Sequence, residues 1–463
     1  MADVKPTPPE APAPTPSPAT ATTTTTAAPA ASAAEGYKAA KPNPVWQMMG
    51  LRGPPKRLPS RNWMIFLSIT AVCSAAVIYD KREKKRATAR WARAVAPLAK
   101  EPISSASELP RKLTVLLEAP PGDGLRVAQD HFLEYVKPIL AASGLDWEFV
   151  QGRQQGDVRA AVAEKIRRRR SREERPEVEL LPTEENLRDA VRMKNGITEP
   201  EGPAGDIVIG RHTWKEYVRG LHEGWLGPLD PPPKPEEPPK PEPETADAAA
   251  EGDEEKKPEE PKEEEKKPDR PPQPVPHNTT ADYQASHLPV LIPAEFSPSE
   301  AIPFPHLLGF AGTFTRMHRF LNRRFLADDI GRQVAAACFA ASREWRNESS
   351  ENPDQPYEQQ RVLEEEEANW VKSVWKIDEK ADEEEKNKER IWISPMVADP
   401  RIVERMRRFE IRPEDEERAR QIVVPEEEVE GWIKGTVRSL GRWGWQTIKG
   451  NERKGPNVGD IEE

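Results

Sequence analysis

Seventeen consecutive residues from Trp63 to Tyr79, WMIFLSITAVCSAAVIY, carry no charge, and the polar run DKREKKR follows at once. As an α-helix rising about 1.5 Å per residue, such a segment reaches roughly 25 Å. A bilayer core is about 30 Å thick, and spans of about 17–25 residues cross it. Trp63 and Tyr79 stand at the two boundaries, where amphipathic rings settle at the membrane–water interface. Arg61 and Lys81 flank them and have side chains long enough to reach the headgroups. A buried core helix is the alternative, but no amphipathic face or adjacent element supports it. The reading is a transmembrane helix over 63–79. Small residues along it (Ser68, Ala71, Ser74 and Ala75) let another helix approach closely. The segment from Trp63 to Tyr79 is therefore expected to dock within a complex as well as to anchor.

The flanks differ in character. Residues 1–41 are Ala, Pro and Thr with few charges, too apolar-poor to offset the entropy of ordering, and are expected to be disordered. They contain no arginine, unlike an Arg-rich cleavable presequence. Residues 42–62 form a basic, proline-broken juxtamembrane segment. After the span, 80–105 reads as a basic helical linker whose Lys81, Arg82, Lys84, Lys85 and Arg86 can meet anionic lipid. Counting Lys and Arg beside the span gives Arg52, Lys56, Arg57 and Arg61 before it. After it come Lys81, Arg82, Lys84, Lys85, Arg86, Arg90 and Arg93. By the positive-inside rule this bias draws the C-terminal side inward, although long domains translocate largely regardless of charge.

Beyond residue 106 the pattern becomes α/β. RKLTVLLEAP (111–120) reads as a buried strand. GDGLRVAQDHFLEYVKPILAASG reads as a helix ended by Gly144, LDWEFVQG as a strand, GDVRAAVAEKIRRRRSREER as a helix and GDIVIGR (205–211) as a third strand leading into HTWKEYVRGLHEGWLGPL. Strands alternating with helices of this length indicate βαβ units and a parallel sheet. Residues 230–280 interrupt them with fifteen prolines between 230 and 276 and dense Glu and Lys, the composition of an extended, disordered insert. HLPVLIP (287–293) and AIPFPHLLGF are candidate strands beyond it. TRMHRFLNRRFLADDIGRQVAAACFAASREW reads as one long helix, with Met317, Phe320, Leu321, Phe325, Ile330, Val334 and Phe339 on its apolar face. The α/β domain thus has a first part at 106–229 and a second at 281–348. Residues 349–463 form a charged helical region with a Trp-rich end, where Ile433, Val437, Leu440 and Trp443 can share a face for docking or for a membrane surface.

Tests for chemistry return little. A net charge of −10 argues against nucleic acid, which requires a basic surface. Cys73 and Cys338 form no short-spaced metal or redox pair. No phosphate loop, zinc-protease motif or nucleophile elbow occurs. Gly122 and Gly124 after the first strand suit a tight strand-to-helix turn, with Asp123 helping to cap the helix. His212 and His222 are expected at a surface or interface. The arginine run Arg167, Arg168, Arg169 and Arg170 can serve as the solvated end of a helix or contact anionic headgroups. Asn278 and Asn347 head glycosylation triplets, which matter only for a chain in the secretory pathway.

The combination resembles a known family. PNPVWQMMGLRGPPKRLPSRNWMIFLSI, IYDKREKKRATARW, the stretch from LPRKLTVLLEAP to AEKIRRRR, and GDIVIGRHTWKEYVRGLHEGWLGPL are similar to the fungal fifty-four-kilodalton subunit family of the mitochondrial carrier translocase. The resemblance implies a single-pass protein of the mitochondrial inner membrane, N-terminus in the matrix and bulk in the intermembrane space. It implies a non-catalytic subunit that supports insertion of multi-spanning carrier proteins, without a cofactor. Its implied partners are the channel-forming subunit, the small intermembrane-space chaperones and an inner-membrane AAA protease. Two other functions fit the residues more loosely. One is a lipid- or nucleotide-binding enzyme with a diacylglycerol-kinase-like α/β domain, and the other is a membrane-anchored adaptor of the secretory pathway.

Overall fold

A computed structural model describes residues 60–102, 105, 107–176, 183–198, 204–231, 273–346, 355–376, 389–430, 435–436 and 439–440. The chain divides into two units, Met1–Ser68 and Ile69–Glu463. In the first, the described residues from Ser60 to Ser68 begin helix α1, whose bounds are Arg61–Val95. Trp63 and Phe66 meet edge to face there, with ring centroids 5.7 Å apart. Among the described residues, α1 is the one helix long and apolar enough to cross a membrane.

The second unit is built on a six-stranded sheet in the order β2-β1-β3-β4-β6-β5. Its strands are β1 (Lys112–Glu118), β2 (Asp146–Gly152), β3 (Gly205–Ile209), β4 (Ser299–Ile302), β5 (Ser342–Glu344) and β6 (Arg407–Phe409). All pairings are parallel except β5 with β6. The parallel strands are joined through helices α2 (Leu125–His131), α3 (Lys137–Ser143), α4 (Asp157–Glu174) and α6 (Arg211–Leu226), with α5 (Glu184–Lys194) also between β2 and β3. After β4 come α7 (Thr313–Phe320) and α8 (Arg323–Cys338). Between α2 and α3 the helix widens into a π turn over Phe132–Val136. Pro138 has no N–H to offer the Glu134 carbonyl, which removes one i→i−4 bond at that point. Gly144 ends α3 in the left-handed region at φ 71°, a conformation that costs glycine least.

Alternation along the strands sorts two cores. Leu113, Val115 and Leu117 of β1 join Ile207, Ile209 and Ile302 under Phe132, Ile139, Ile330 and Val334, with Trp91 and Val95 of α1 sealing the same layer. Leu116, Val208 and Ala301 face Val158, Val162, Trp214, Val218, Trp225 and Ile402 on the other side. Helices on both faces of a largely parallel sheet make a doubly wound fold.

Several expectations change. Residues 80–95 are helical, and they pack on the domain as well as leading into it. They continue α1 into the domain, burying Asp80, Lys84, Trp91 and Val95. HLPVLIP forms no strand, since Pro289 and Pro293 would each remove a ladder donor. The next strand is Ser299–Ile302, hydrogen-bonded beside β3 in register Asp206 with Ser299. The long helix expected from Thr315 onward is broken at Leu321–Asn322 into α7 and α8. Its supposed single apolar face divides accordingly, with Ile330 and Val334 in the core and Met317, Phe320 and Phe325 exposed. The charged segment after 356 is a series of single helical turns, Glu358–Arg361, Glu364–Glu367 and Lys372–Trp375. Ile433, Val437 and Trp443 lie outside the described residues, as do Asn347 and nearly all of the first sixty residues.

Candidate functional site

In doubly wound sheets, ligands bind beyond the carboxyl ends of the strands where the strand order reverses. Here that point lies between β1 and β3, and the residues there come from four elements. Glu118 ends β1, Gly156 precedes α4, His212 and Glu216 lie on α6, and Trp392 arrives from the C-terminal region.

The N-termini of α6, which follows β3, and of α4, which follows the neighbouring β2, present N–H groups and a positive dipole end, which is where such folds hold phosphate. Both positions are taken by carboxylates of the chain itself. At α6, Glu366 accepts from the backbone N–H of Arg211 at 3.0 Å and of Phe304 at 2.7 Å. At α4, Glu216 accepts from the N–H of Gly156 at 2.6 Å and of Arg159 at 3.2 Å. The Trp392 indole also donates to Glu216 at 3.0 Å. Gly122 and Gly124 form the tight turn expected of them, with Gly122 at φ 85°. The Asp123 side chain accepts from the Gly124 N–H at 2.8 Å.

Glu118 is fully buried beside Glu216. Burial pushes its pKa well above the ordinary carboxyl range, and the neighbouring Glu216 adds to this. Burial raises Glu216 as well, but two adjacent buried carboxyls cannot both ionise, and Glu216 is the one with backbone hydrogen-bond donors and the nearby Arg159. Glu118 is therefore the neutral member. Burial also raises Glu366, to about 7.

Helix α6 is buried along its whole length. Every charged residue on it is paired. Arg211 and Lys215 share Glu367 at 2.7 and 2.9 Å, and Lys215 also donates to the carbonyls of Trp392 and Ser394 at 2.6 and 3.0 Å. Arg219 reaches Glu389 at 2.7 Å and the Asn278 side chain at 2.9 Å. Glu223 holds Arg159 and, at 3.0 Å, Arg167. Gly220 and Gly224 let α4 approach: a Cβ on Gly220 would stand 2.8 Å from the Arg159 carbonyl oxygen.

The histidines expected at a surface or interface are core residues. His212 and His222 are fully buried, and burial lowers both to about 4. The His222 ring lies between the Val218 carbonyl at 2.7 Å and the Asp399 N–H at 2.9 Å. That environment fixes a neutral ring donating from Nδ1 and accepting at Nε2. Asn278 is buried under Arg219, which closes it to glycosylation. The sequence signal for this polar core was present in HTWKEYVRGLHEGW, whose charges fall on every face of a helix. Its partners, however, lie some 150 residues away in the chain.

The expected membrane residues are placed as follows. Trp63, Ser68, Ala71, Ser74, Ala75 and Tyr79 are all exposed, and the Ser68 hydroxyl donates back to the Ile65 carbonyl at 2.8 Å. Of the basic residues after the span, Lys81 and Lys85 are exposed. Lys84 is buried against Glu134, Arg82 meets Glu426 at 2.5 Å, and Arg86 meets Glu83 at 2.6 Å. In the arginine run, Arg168 and Arg169 pair with Glu164 and Glu173 one helical turn away. Arg170 donates to the carbonyls of Gly224 and Gly227 at 2.7 and 2.9 Å. Arg167 and Arg170, the two ends of the run, are thus occupied in joining α4 to α6 and the residue that follows it. Among the described residues no cluster of His, Cys, Asp or Glu could hold a metal ion.

Comparison with known proteins bears on the whole chain. Residues 43–409 match the family model described as inner membrane protein import complex subunit Tim54. A relative from Neurospora crassa, a mitochondrial import inner membrane translocase subunit tim54, is 54% identical over 88% of this chain and 89% of its own length. Relatives of the same description from Aspergillus oryzae and Aspergillus fumigatus are 42% and 44% identical. They cover 88% and 80% of this chain, and 98% and 91% of their own lengths. The expected family is thus the one found: the chain belongs to the Tim54 family of mitochondrial inner-membrane import translocase subunits.

Proposed function

We propose that this subunit works without catalysis, as a scaffold that supports insertion of multi-spanning carrier proteins and assembly of the translocase. The observation that carries this reading is the filled crevice. The N-terminus of α6, which leaves the switch point after β3, is satisfied by Glu366, and that of α4, after β2, by Glu216, which Trp392 covers. A phosphate bound at the start of α6 or α4 would have to displace those carboxylates. A surface for partners is then the more economical use of the domain.

The partners we propose are the channel-forming subunit, the small intermembrane-space chaperones and an inner-membrane AAA protease. Docking to the channel subunit would use the small-residue positions Ser68, Ala71, Ser74 and Ala75, framed by Trp63 and Tyr79. The orientation we propose has the N-terminus in the matrix and the α/β domain in the intermembrane space. Exposed Lys81 and Lys85 would meet lipid headgroups after the span. We retain the insert at 230–280 as the break in the α/β domain, whose second part runs on past 348 to include β6.

Two experiments test this. Affinity purification of the full chain from mildly solubilised mitochondria is expected to recover the channel subunit and small chaperones. Recovery of neither would exclude the reading. Protease added to mitoplasts, but not to intact mitochondria, is expected to digest the α/β domain, and protection in both would reverse the orientation.

A further inference from the structure

Helix α7 lies beside the end of the apolar run. It buries no residue, and its apolar side chains stand in the open: Phe314 is 80% exposed and Met317 56%, with Phe310 just before the helix at 93%. At 100° per residue, Phe314, Met317 and Leu321 fall on one side of the helix, while Thr315, Arg316 and Arg319 fall on the other. Phe320 and Phe325 extend the apolar surface across the α7–α8 break.

The position of this helix is fixed by the end of the span. Asp80, the first charged residue after the apolar run, is buried and accepts from the N–H groups of Arg323 and Arg324, both at 3.2 Å. Arg324 also pairs with Asp80 at 3.3 Å and lies over the Tyr79 ring at 5.5 Å. Arg323 lies over the Phe320 ring at 4.7 Å. The carboxylate thus caps the start of α8 and holds the α7–α8 junction at the residues where the chain leaves the bilayer. A helix held at that depth with aromatic side chains outward and arginines opposite has the composition of one lying in the interface plane. Its apolar face would enter the headgroup–acyl boundary while its arginines reach phosphates.

We infer that Phe310 and helix Thr313–Phe320 form a second, in-plane membrane contact, whose occupant is the lipid surface on the side where the span exits. The contact gives the domain a fixed tilt against the bilayer that one helical tether cannot supply. It requires only that α1 spans, and is independent of the carrier-insertion role.

The test uses the full chain, reconstituted into phosphatidylcholine–cardiolipin vesicles, with Cys73→Ala to remove the exposed thiol. Cys338 is buried and stays unlabelled. An environment-sensitive fluorophore is attached to Phe314→Cys and, separately, to Thr315→Cys on the opposite side. The expected result is quenching at position 314 by shallow doxyl-labelled lipid with loss of quenching by aqueous iodide, and the reverse at position 315. Adding Met317→Glu to Phe314→Cys should restore iodide access. Three results would overturn the inference. The first is equal iodide access at both positions. The second is shielding at 314 that grows with protein-to-lipid ratio, which would assign the face to a second copy. The third is shielding that appears only when other translocase subunits are added, which would assign it to a protein partner.

Discussion

The Trp392 indole N–H donates to the Glu216 carboxylate at 3.0 Å, across 176 residues of sequence. This bond ties the C-terminal region to the N-terminus of α4 and closes the crevice where this fold would otherwise take a ligand. Trp392→Phe keeps most of the ring and removes the donor. Hydrogen bonds to charged groups contribute about 1.5–3 kcal/mol, so a loss of that order is expected in urea unfolding. An unchanged midpoint would mean that the crevice is closed by shape alone.

Glu118, Glu300 and Glu366 are all raised by burial, the last two to about 7. A carboxyl raised in the folded state binds more protons folded than unfolded above its ordinary value of 4.5. These groups therefore make stability fall as pH rises through that window. His131, His212 and His222, held neutral and lowered to about 4 from 6.5, act oppositely: their contribution is lost as pH falls from 6.5 toward 4. Glu118→Gln removes one of the first kind and none of the second. Its melting temperature is expected to gain on the parent as pH rises from about 5 to about 8. A constant difference over that range would show that Glu118 is not held neutral.

Gly220 sits where α6 meets α4, and a Cβ there would stand 2.8 Å from a backbone oxygen, whereas one on Gly435 would have nothing within 4 Å. Overpacking of this kind costs about 1–3 kcal/mol. Gly220→Ala is expected to lower the melting temperature and Gly435→Ala to leave it unchanged or slightly higher. Equal effects would remove close approach as the reason for the glycine.

Asp80 caps α8 from outside that helix. Replacing a capping carboxylate by alanine costs about 0.5–2 kcal/mol. Limited proteolysis of Asp80→Ala is expected to cut faster near Leu321–Asn322, where the two helices part. Unaltered cleavage there would mean that Arg324 and the packing of α8 suffice.

Much of the scaffold was legible. Strand LTVLLE, helix RAAVAEKI and the turn glycines Gly122 and Gly144 declare themselves because periodicity and backbone freedom are local properties. HLPVLIP has the apolar composition of a strand but forms none, because Pro289 and Pro293 lack the ladder donors. The histidines misled because burial depends on what covers α6, and the covering segment lies far along the chain.

The sequence by itself determined the span, the alternation of strands and helices and the family, since each depends on residue order within a few tens of positions. Only the tertiary structure decided that α1 packs on the domain, that Glu366 and Glu216 occupy the N-termini of α6 and α4, and that α7 faces outward beside the end of the span. Those outcomes rest on contacts such as Asp80 with Arg324, between residues 244 apart. No local pattern encodes a carboxylate's choice among distant donors, because that choice is made by burial and geometry once the sheet has formed.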